Sequence, residues 1–369
     1  MTGGALADKI IRRIRAEGPL SVAAFMAMAL HDPALGYYAR CRPIGAAGDF
    51  VTAPEISQVF GELLGVWCAL MWERIGRPDP VVLAELGPGS GVLAADLLRA
   101  AAALPEFRRA LRLHLVEASP LLRAEQQRRL EAVDPVWLAR VEDLPAGPLI
   151  VVANEFLDAL PIRQLVRGPR HWAERRVVLG PEDDRLAFAD GAESPVIDLL
   201  IPEPLRQTAP PGAVVEICPA ALAVAATLGA RLQRWPGAAL LVDYGYFPSA
   251  LGPSLRGLRH HQPVDVLESP GTTDLSTDVD FAAFAQGARA AGAEAWGPVP
   301  QGDFLRGLGV SARLAALAAR ATPAARHRLE SGVERLLDPT QMGNLFKAIA
   351  LTSPGLAAPP GFDLPDRER

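Results

Sequence analysis

The hydrophobic rhythm of the chain changes once, near residue 80. Before that point apolar residues recur every three or four positions, in Leu6, Ile10 and Ile14 and again in Val59, Leu63, Val66 and Leu70. That spacing predicts amphipathic helices from about residue 5 to 76, with a glycine-rich loop, Gly45-Ala46-Ala47-Gly48-Asp49-Phe50, between them. Pro78-Asp79-Pro80 breaks the pattern, and short apolar runs then alternate with helical stretches. The runs Val81–Leu86, Leu111–Val116, Leu149–Ala153 and Ala239–Val242 are predicted strands. Continuous apolar strands separated by helices are what a parallel sheet covered on both faces requires, so the expected class is α/β with a Rossmann-like sheet.

The remaining segments are placed around that sheet. Residues 1–77 are read as a helical amino-terminal extension with a lid loop, and 78–162 with 238–300 as the sheet core. Residues 163–237 are an insertion, in which Arg175-Arg176-Val177-Val178-Leu179 and Leu186-Ala187-Phe188 flank Pro181-Glu182-Asp183-Asp184 as a β-hairpin. Pro248 to Asp278, rich in Gly, Pro, Ser and His, reads as a long loop. Helical patterns return from Phe281 and from Ser311 to Arg335, residues 301–352 forming a helical carboxyl-terminal part, and 353–369 read as a disordered tail.

Composition narrows the function classes. Half of the 369 residues are hydrophobic and 21% are charged, which leaves ample material for a packed core. A net charge of −5 argues against nucleic acid as a partner. The scattered Cys41, Cys68 and Cys218 form no C-x-x-C pair, so neither a disulfide framework nor a metal site is expected. With no targeting segment or membrane-span pattern evident, a cytoplasmic protein is expected; oligomeric state is left open.

The chemistry begins where the first strand runs into Glu85-Leu86-Gly87-Pro88-Gly89-Ser90-Gly91. Glycines let the backbone approach a ligand closely and tolerate positive φ, and the helix that follows aims its unpaired N–H groups at the loop. A dinucleotide fingerprint would need a small residue at position 92, where this chain has Val92. Glu85 suits a ligand with a positive amino group and sits badly beside a pyrophosphate. Glu117, 26 residues beyond Gly91 at the end of the second strand, is placed to take ribose hydroxyls. The same residue could equally be a charge at a helix N-terminus before Ser119-Pro120. Together, Glu85, Gly87, Gly89, Gly91 and Glu117 point to S-adenosylmethionine, which carries an ammonium, a sulfonium and no phosphate.

The third strand ends in Asn154-Glu155-Phe156-Leu157-Asp158, at the end of the sheet where α/β folds bind ligands. Asn154, Glu155 and Asp158 are the candidate catalytic residues, against the alternative of a capped helix start. Carboxylates there could grip a guanidinium in bidentate fashion. Tyr244 and Tyr246, in Asp243-Tyr244-Gly245-Tyr246, are candidate wall residues, and His260 of the His260-His261 pair a candidate substrate contact.

These words, with Gly48-Asp49-Phe50-Val51-Thr52-Ala53-Pro54-Glu55-Ile56-Ser57, Phe60-Gly61-Glu62 and Met342-Gly343-Asn344-Leu345-Phe346-Lys347, resemble the MidA-like methyltransferases over about residues 10–351. The resemblance implies a class I methyltransferase fold with a helical amino-terminal extension and an inserted substrate-binding region. It implies S-adenosylmethionine as donor and arginine on a protein partner, such as a respiratory complex I subunit, as acceptor. It also implies that the Gly48–Ser57 segment folds over donor or acceptor, with Asp49, Thr52 and Glu55 its polar candidates. Arg42-Pro43 and Leu258-Arg259-His260-His261 depart from the family's words near presumed substrate contacts. A methyltransferase for a small molecule or another side chain, and an assembly factor that keeps the fold without catalysis, are the alternatives.

Overall fold

The computed structural model describes residues 3–40, 52–181 and 185–363. These fall into two compact units, one from residues 52–156, 224–245 and 284–363, the other from 3–40, 157–223 and 246–283.

The first unit is built on the seven strands that form the main path of one sheet. Its strands are β1 (Val81–Leu86), β2 (Leu111–Val116), β3 (Val136–Leu138), β4 (Leu149–Asn154), β5 (Gly237–Tyr246), β6 (Glu294–Pro300) and β7 (Phe346–Thr352). Their order across the sheet is 3-2-1-4-5-7-6. The first five are parallel, in the doubly wound order that leaves a switch point between β1 and β4. All six residues of β1 and of β4 are buried, which explains why both strands are apolar except at Glu85 and Asn154.

The sheet departs from the sequence expectation at its far edge. It is mixed, because β7 lies antiparallel between β5 and β6. Residues 301–352, expected to be a helical part, therefore end in an interior strand, whose short apolar run Ala348-Ile349-Ala350-Leu351 is hidden in the sequence behind helical periodicity. The tail is also not disordered as far as residue 363. Pro359 and Gly361 are buried, and the Phe362 ring lies 5.4 Å from that of Phe304.

Helix α1 (Gln58–Arg74) packs on α2 (Val92–Ala101). The buried face of α1 runs through Val59, Phe60, Leu63, Leu64, Trp67 and Met71, whereas Val66 and Leu70 of the expected stripe are 41% and 37% exposed. The helix itself is as expected; it is so apolar that it supports more than one stripe, and of the four spaced residues Val59 and Leu63 face the core while Val66 and Leu70 do not. The close approach needs Gly61 and Gly65: a Cβ at Gly61 would stand 2.5 Å from the Asp96 Cβ, and one at Gly65 2.6 Å from the Ala100 Cβ. Beside this contact Glu62, 2% exposed, accepts hydrogen bonds from Arg99 (3.2 Å) and Arg313 (2.7 Å).

The second unit packs helices Gly3–Glu17 and Val22–His31 around Leu6, Ile10, Phe25, Met26 and Leu30, with Val177 in the same core. Its five-stranded antiparallel sheet contains the expected hairpin, Trp172–Leu179 against Leu186–Ser194, with Leu179 opposite Leu186. Residues 248–278 are not an irregular loop. Strands Arg256–Arg259, Gln262–Val264 and Asp274–Ser276 form a small sheet within them. Its tight turn is His260-His261, at φ +51° and +60°, the positive angles that a type I′ hairpin demands. Asn-Gly or Asp-Gly would have signalled that turn in the sequence; two histidines did not.

Candidate functional site

The carboxyl ends of β1, β2, β4 and β5 carry the polar residues of the first unit. Along β1 alternate residues face opposite sides, and Glu85 follows Val81 and Leu83, which pack into the core shared with α1 and α2. That orientation aims the Glu85 carboxyl at the first turn of α2. Glu85 is 3% exposed, and its Oε2 has no hydrogen-bond partner among the described residues. Burial pushes its pKa up to about 8, against the opposing hydrogen bond from the Ala94 backbone, with Glu117 and Asp96 adding repulsion.

Between β1 and α2, Gly87, Gly89 and Gly91 all lie at positive φ (+63°, +51° and +79°). A Cβ at Gly87 would also stand 2.9 Å from the Phe156 ring. The loop is anchored from outside: Gln126 donates to the Gly89 carbonyl at 2.8 Å and Arg129 to that of Ser90 at 2.9 Å. Both donors lie on α3 (Pro120–Arg129).

Glu117 follows β2 and satisfies both readings of its position. Its Oε1 accepts the Ser119 N–H at 2.7 Å, and Ser119 caps α3 by accepting the Leu122 N–H at 3.3 Å. Its Oε2 accepts from Gln126 at 3.2 Å. Burial raises the Glu117 pKa, and the donations from Ser119 and Gln126 hold it down. Each carboxylate oxygen has two lone pairs, so these bonds leave acceptor capacity for hydroxyls.

At the end of β4, Glu155 lies at φ +51°, a left-handed conformation that costs a non-glycine residue about 1–3 kcal/mol. Backbone bonds enforce it. Glu155 donates its N–H to Val242 O at 3.0 Å, and Phe156 donates to Asp243 Oδ2 at 3.1 Å. The Glu155 Oε1 then accepts both the Asn154 amide (2.9 Å) and the Ala53 N–H (3.1 Å). Because Nδ2 of Asn154 is committed to Glu155, its Oδ1 is an acceptor, buried and without a partner among the described residues. Nearby in sequence to Ala53, Glu55 accepts the Ser90 hydroxyl of the glycine loop at 2.6 Å, and Thr52 is buried.

The predicted residues thus divide. Glu85, the three glycines, Glu117, Asn154, Glu155, Thr52 and Glu55 belong to the first unit, as does Tyr244, which is buried edge-on against Phe346 at 5.3 Å. Asp158, Tyr246 and His260 belong to the second. There the Asp158 carbonyl accepts the N–H (3.0 Å) and hydroxyl (3.2 Å) of Thr277. Burial, with Asp280, Glu216 and Asp278 around it, pushes the Tyr246 phenol well above its ordinary range. Asp49 lies outside the described residues. Ser90, Gln126 and Asp243 were missed as site residues. Gln126 had a readable signal: it follows Leu122 by four positions, so it continues that helix's apolar face.

Two buried acceptor atoms without donors among the described residues, Glu85 Oε2 and Asn154 Oδ1, on the neighbouring strands β1 and β4, suit a ligand bearing positive charge and N–H groups. The glycine loop admits close backbone approach, and Glu117 offers acceptors to hydroxyls. The residues fit S-adenosylmethionine.

Comparison with known proteins agrees. The family described as "Putative S-adenosyl-L-methionine-dependent methyltransferase" matches residues 63–299. The mitochondrial protein arginine methyltransferase NDUFAF7 of Danio rerio is 38% identical over 93% of this chain and 84% of its own length. The protein of that name from Homo sapiens is 34% identical over 93% and 82%. A crystal structure of a Burkholderia thailandensis protein bound to S-adenosyl-homocysteine is 30% identical, covers 100% of this chain and 96% of its own, and superimposes with a TM-score of 0.86.

Proposed function

The chain belongs to the S-adenosyl-L-methionine-dependent methyltransferase family, and from that membership we propose that it methylates an arginine nitrogen of a protein partner. S-adenosylmethionine supplies a methyl group made electrophilic by its positively charged sulfur. Everything else falls to the side chains. Glu85 pairs with the donor's ammonium, Glu117 takes its ribose hydroxyls, and the glycine loop lets the backbone close on it.

The observation that carries the acceptor reading is the Asn154–Glu155 pair. Guanidinium holds its proton far above neutral pH and spreads its charge over three nitrogens, so it is a poor nucleophile. A carboxylate beside it draws that charge onto the nitrogens it contacts, leaves the attacking nitrogen more electron-rich, and receives the proton that methyl transfer releases. Glu155 is held for this task by a strained backbone, and the Asn154 Oδ1 is an acceptor for an N–H of the incoming group. Asp158 is the second carboxylate of the proposal, three residues on. Thr52 and Glu55 belong to the covering segment of the proposal, supported by the Glu55–Ser90 bond. Within the first unit, Tyr244 is the wall residue of the proposal.

The partner we propose is a respiratory-chain subunit, as the similarity to the arginine methyltransferases suggests. Among the described residues no helix is long and apolar enough to cross a membrane. The compartment is proposed to be a reducing cytoplasm, consistent with the free thiols of Cys68 and Cys218. The test is incubation of the chain and donor with a bacterial lysate, followed by mass-spectrometric mapping of methylated residues. Methylarginine on a protein is expected. Methyl groups confined to lysines or small molecules would reject the arginine assignment.

A further inference from the structure

Gln126 has no solvent exposure, a rare setting for an amide, and its three hydrogen bonds all lead to the donor site or its wall. The Trp137 indole donates to its Oε1 at 2.8 Å. Indole N–H is a donor only, so this bond fixes which end of the amide is oxygen. The Nε2 end is thereby turned to two acceptors, the Gly89 carbonyl at 2.8 Å and Glu117 Oε2 at 3.2 Å. One amide group therefore locks the middle of the glycine loop to the carboxylate at the end of the second strand. Trp137 lies on β3, next to β2 in the sheet, so the lock spans both strands flanking the Glu117 position.

We propose that Gln126 is a positioning residue for the donor, holding the Glu117 carboxylate at a fixed distance from the glycine loop so that its remaining lone pairs meet both ribose hydroxyls. The inference rests on the reading of Glu117 as the ribose-binding carboxylate. Trp137 acts one step further back, by denying Gln126 the flipped orientation that would set its oxygen against the Glu117 carboxylate. Glycine-loop shape and ribose selectivity are then properties of one hydrogen-bond chain, Trp137 to Gln126 to Glu117.

The experiment is calorimetric titration of the full chain with S-adenosylhomocysteine and with its 2′,3′-dideoxy analogue, for wild type, Gln126→Glu and Trp137→Phe, with the melting temperature of each recorded. Gln126→Glu keeps the size of the side chain and the acceptor for Trp137 but loses the amide group whose two N–H bonds join the Gly89 carbonyl to Glu117, leaving at most one proton between them. It is expected to weaken S-adenosylhomocysteine by about tenfold more than the dideoxy analogue, because losing the Gly89 bond touches both ligands and losing the Glu117 bond only the one with ribose hydroxyls. Trp137→Phe should show the same selectivity with a smaller loss, about threefold, and it keeps the proposal testable if Gln126→Glu does not fold. Equal losses for both ligands, or none, would overturn the positioning role and leave Gln126 a packing residue. Absence of S-adenosylhomocysteine binding by wild type would instead remove the donor reading on which the inference stands.

Discussion

The Glu155 carboxylate accepts the Ala53 backbone N–H at 3.1 Å, across 102 positions of sequence. The same oxygen accepts the Asn154 amide, so Glu155 ties the segment that begins near Thr52 to the end of β4. Glu155→Gln keeps an oxygen able to accept both bonds but loses the negative charge. S-adenosylhomocysteine affinity should therefore stay within about threefold of wild type. Methyl transfer, measured with radiolabelled donor under single-turnover conditions, should fall by about 100-fold or more, the usual contribution of a positioned acid or base. Unchanged transfer would remove Glu155 from the acceptor side.

Glu85 makes the ligand-free protein sensitive to pH. Its pKa rises from an ordinary 4.5 to about 8 on folding, because burial disfavours the charged form. A folded pKa above the unfolded one means that the folded state binds the proton more tightly. The stabilisation is fully present below pH 4.5 and is lost as pH climbs to about 8. The melting temperature of Glu85→Gln, which cannot ionise, should therefore rise relative to wild type between pH 5 and pH 9 in the absence of ligand. A gap that does not change with pH would contradict the burial of an acid here. The ammonium of the donor should reverse the shift, so calorimetry near pH 7 in buffers of different ionisation enthalpy should detect proton release on binding, absent in Glu85→Gln.

Gly61→Ala tests the helix contact behind the loop. The added Cβ would stand 2.5 Å from the Asp96 Cβ and 2.9 Å from its Oδ2, within a cluster where burial already raises Asp96 to about 6. Overpacking of this kind costs about 1–3 kcal/mol. Urea denaturation should show a lower midpoint with an unchanged slope. Because Asp96 lies on the helix that starts at the glycine loop, donor affinity should fall as well. A wild-type midpoint would mean that the two helices separate without cost.

The candidate residues stand out in the sequence because each interrupts or ends an apolar run: Glu85 inside β1 and Glu117 after β2 on the donor side, Asn154 and Glu155 at β4 on the acceptor side. Four strands were legible for the same reason. β7 was not, because Phe346–Thr352 follows helices whose periodicity masks it, and its burial comes from β5 and β6, far away in sequence. The side of α1 that is buried depends on Gly61 and Gly65 meeting α2, which spacing does not encode. Gln126 was passed over because a polar residue on a helix ordinarily faces water; only its fourfold spacing from Leu122 marked it. The strain at Glu155 has no sequence signature at all, since it arises from the bonds to Val242 and Asp243 on another strand.

The most direct test of the donor site is calorimetric titration of S-adenosylhomocysteine into wild type and Gly89→Val. Gly89 sits at φ +51°, which a β-branched residue adopts only with strain, and its carbonyl is held by Gln126. Saturable binding by wild type is expected, with at least a tenfold loss (about 1.4 kcal/mol) in Gly89→Val. No binding by the folded wild-type chain at millimolar ligand, or equal binding by the two, would contradict the account.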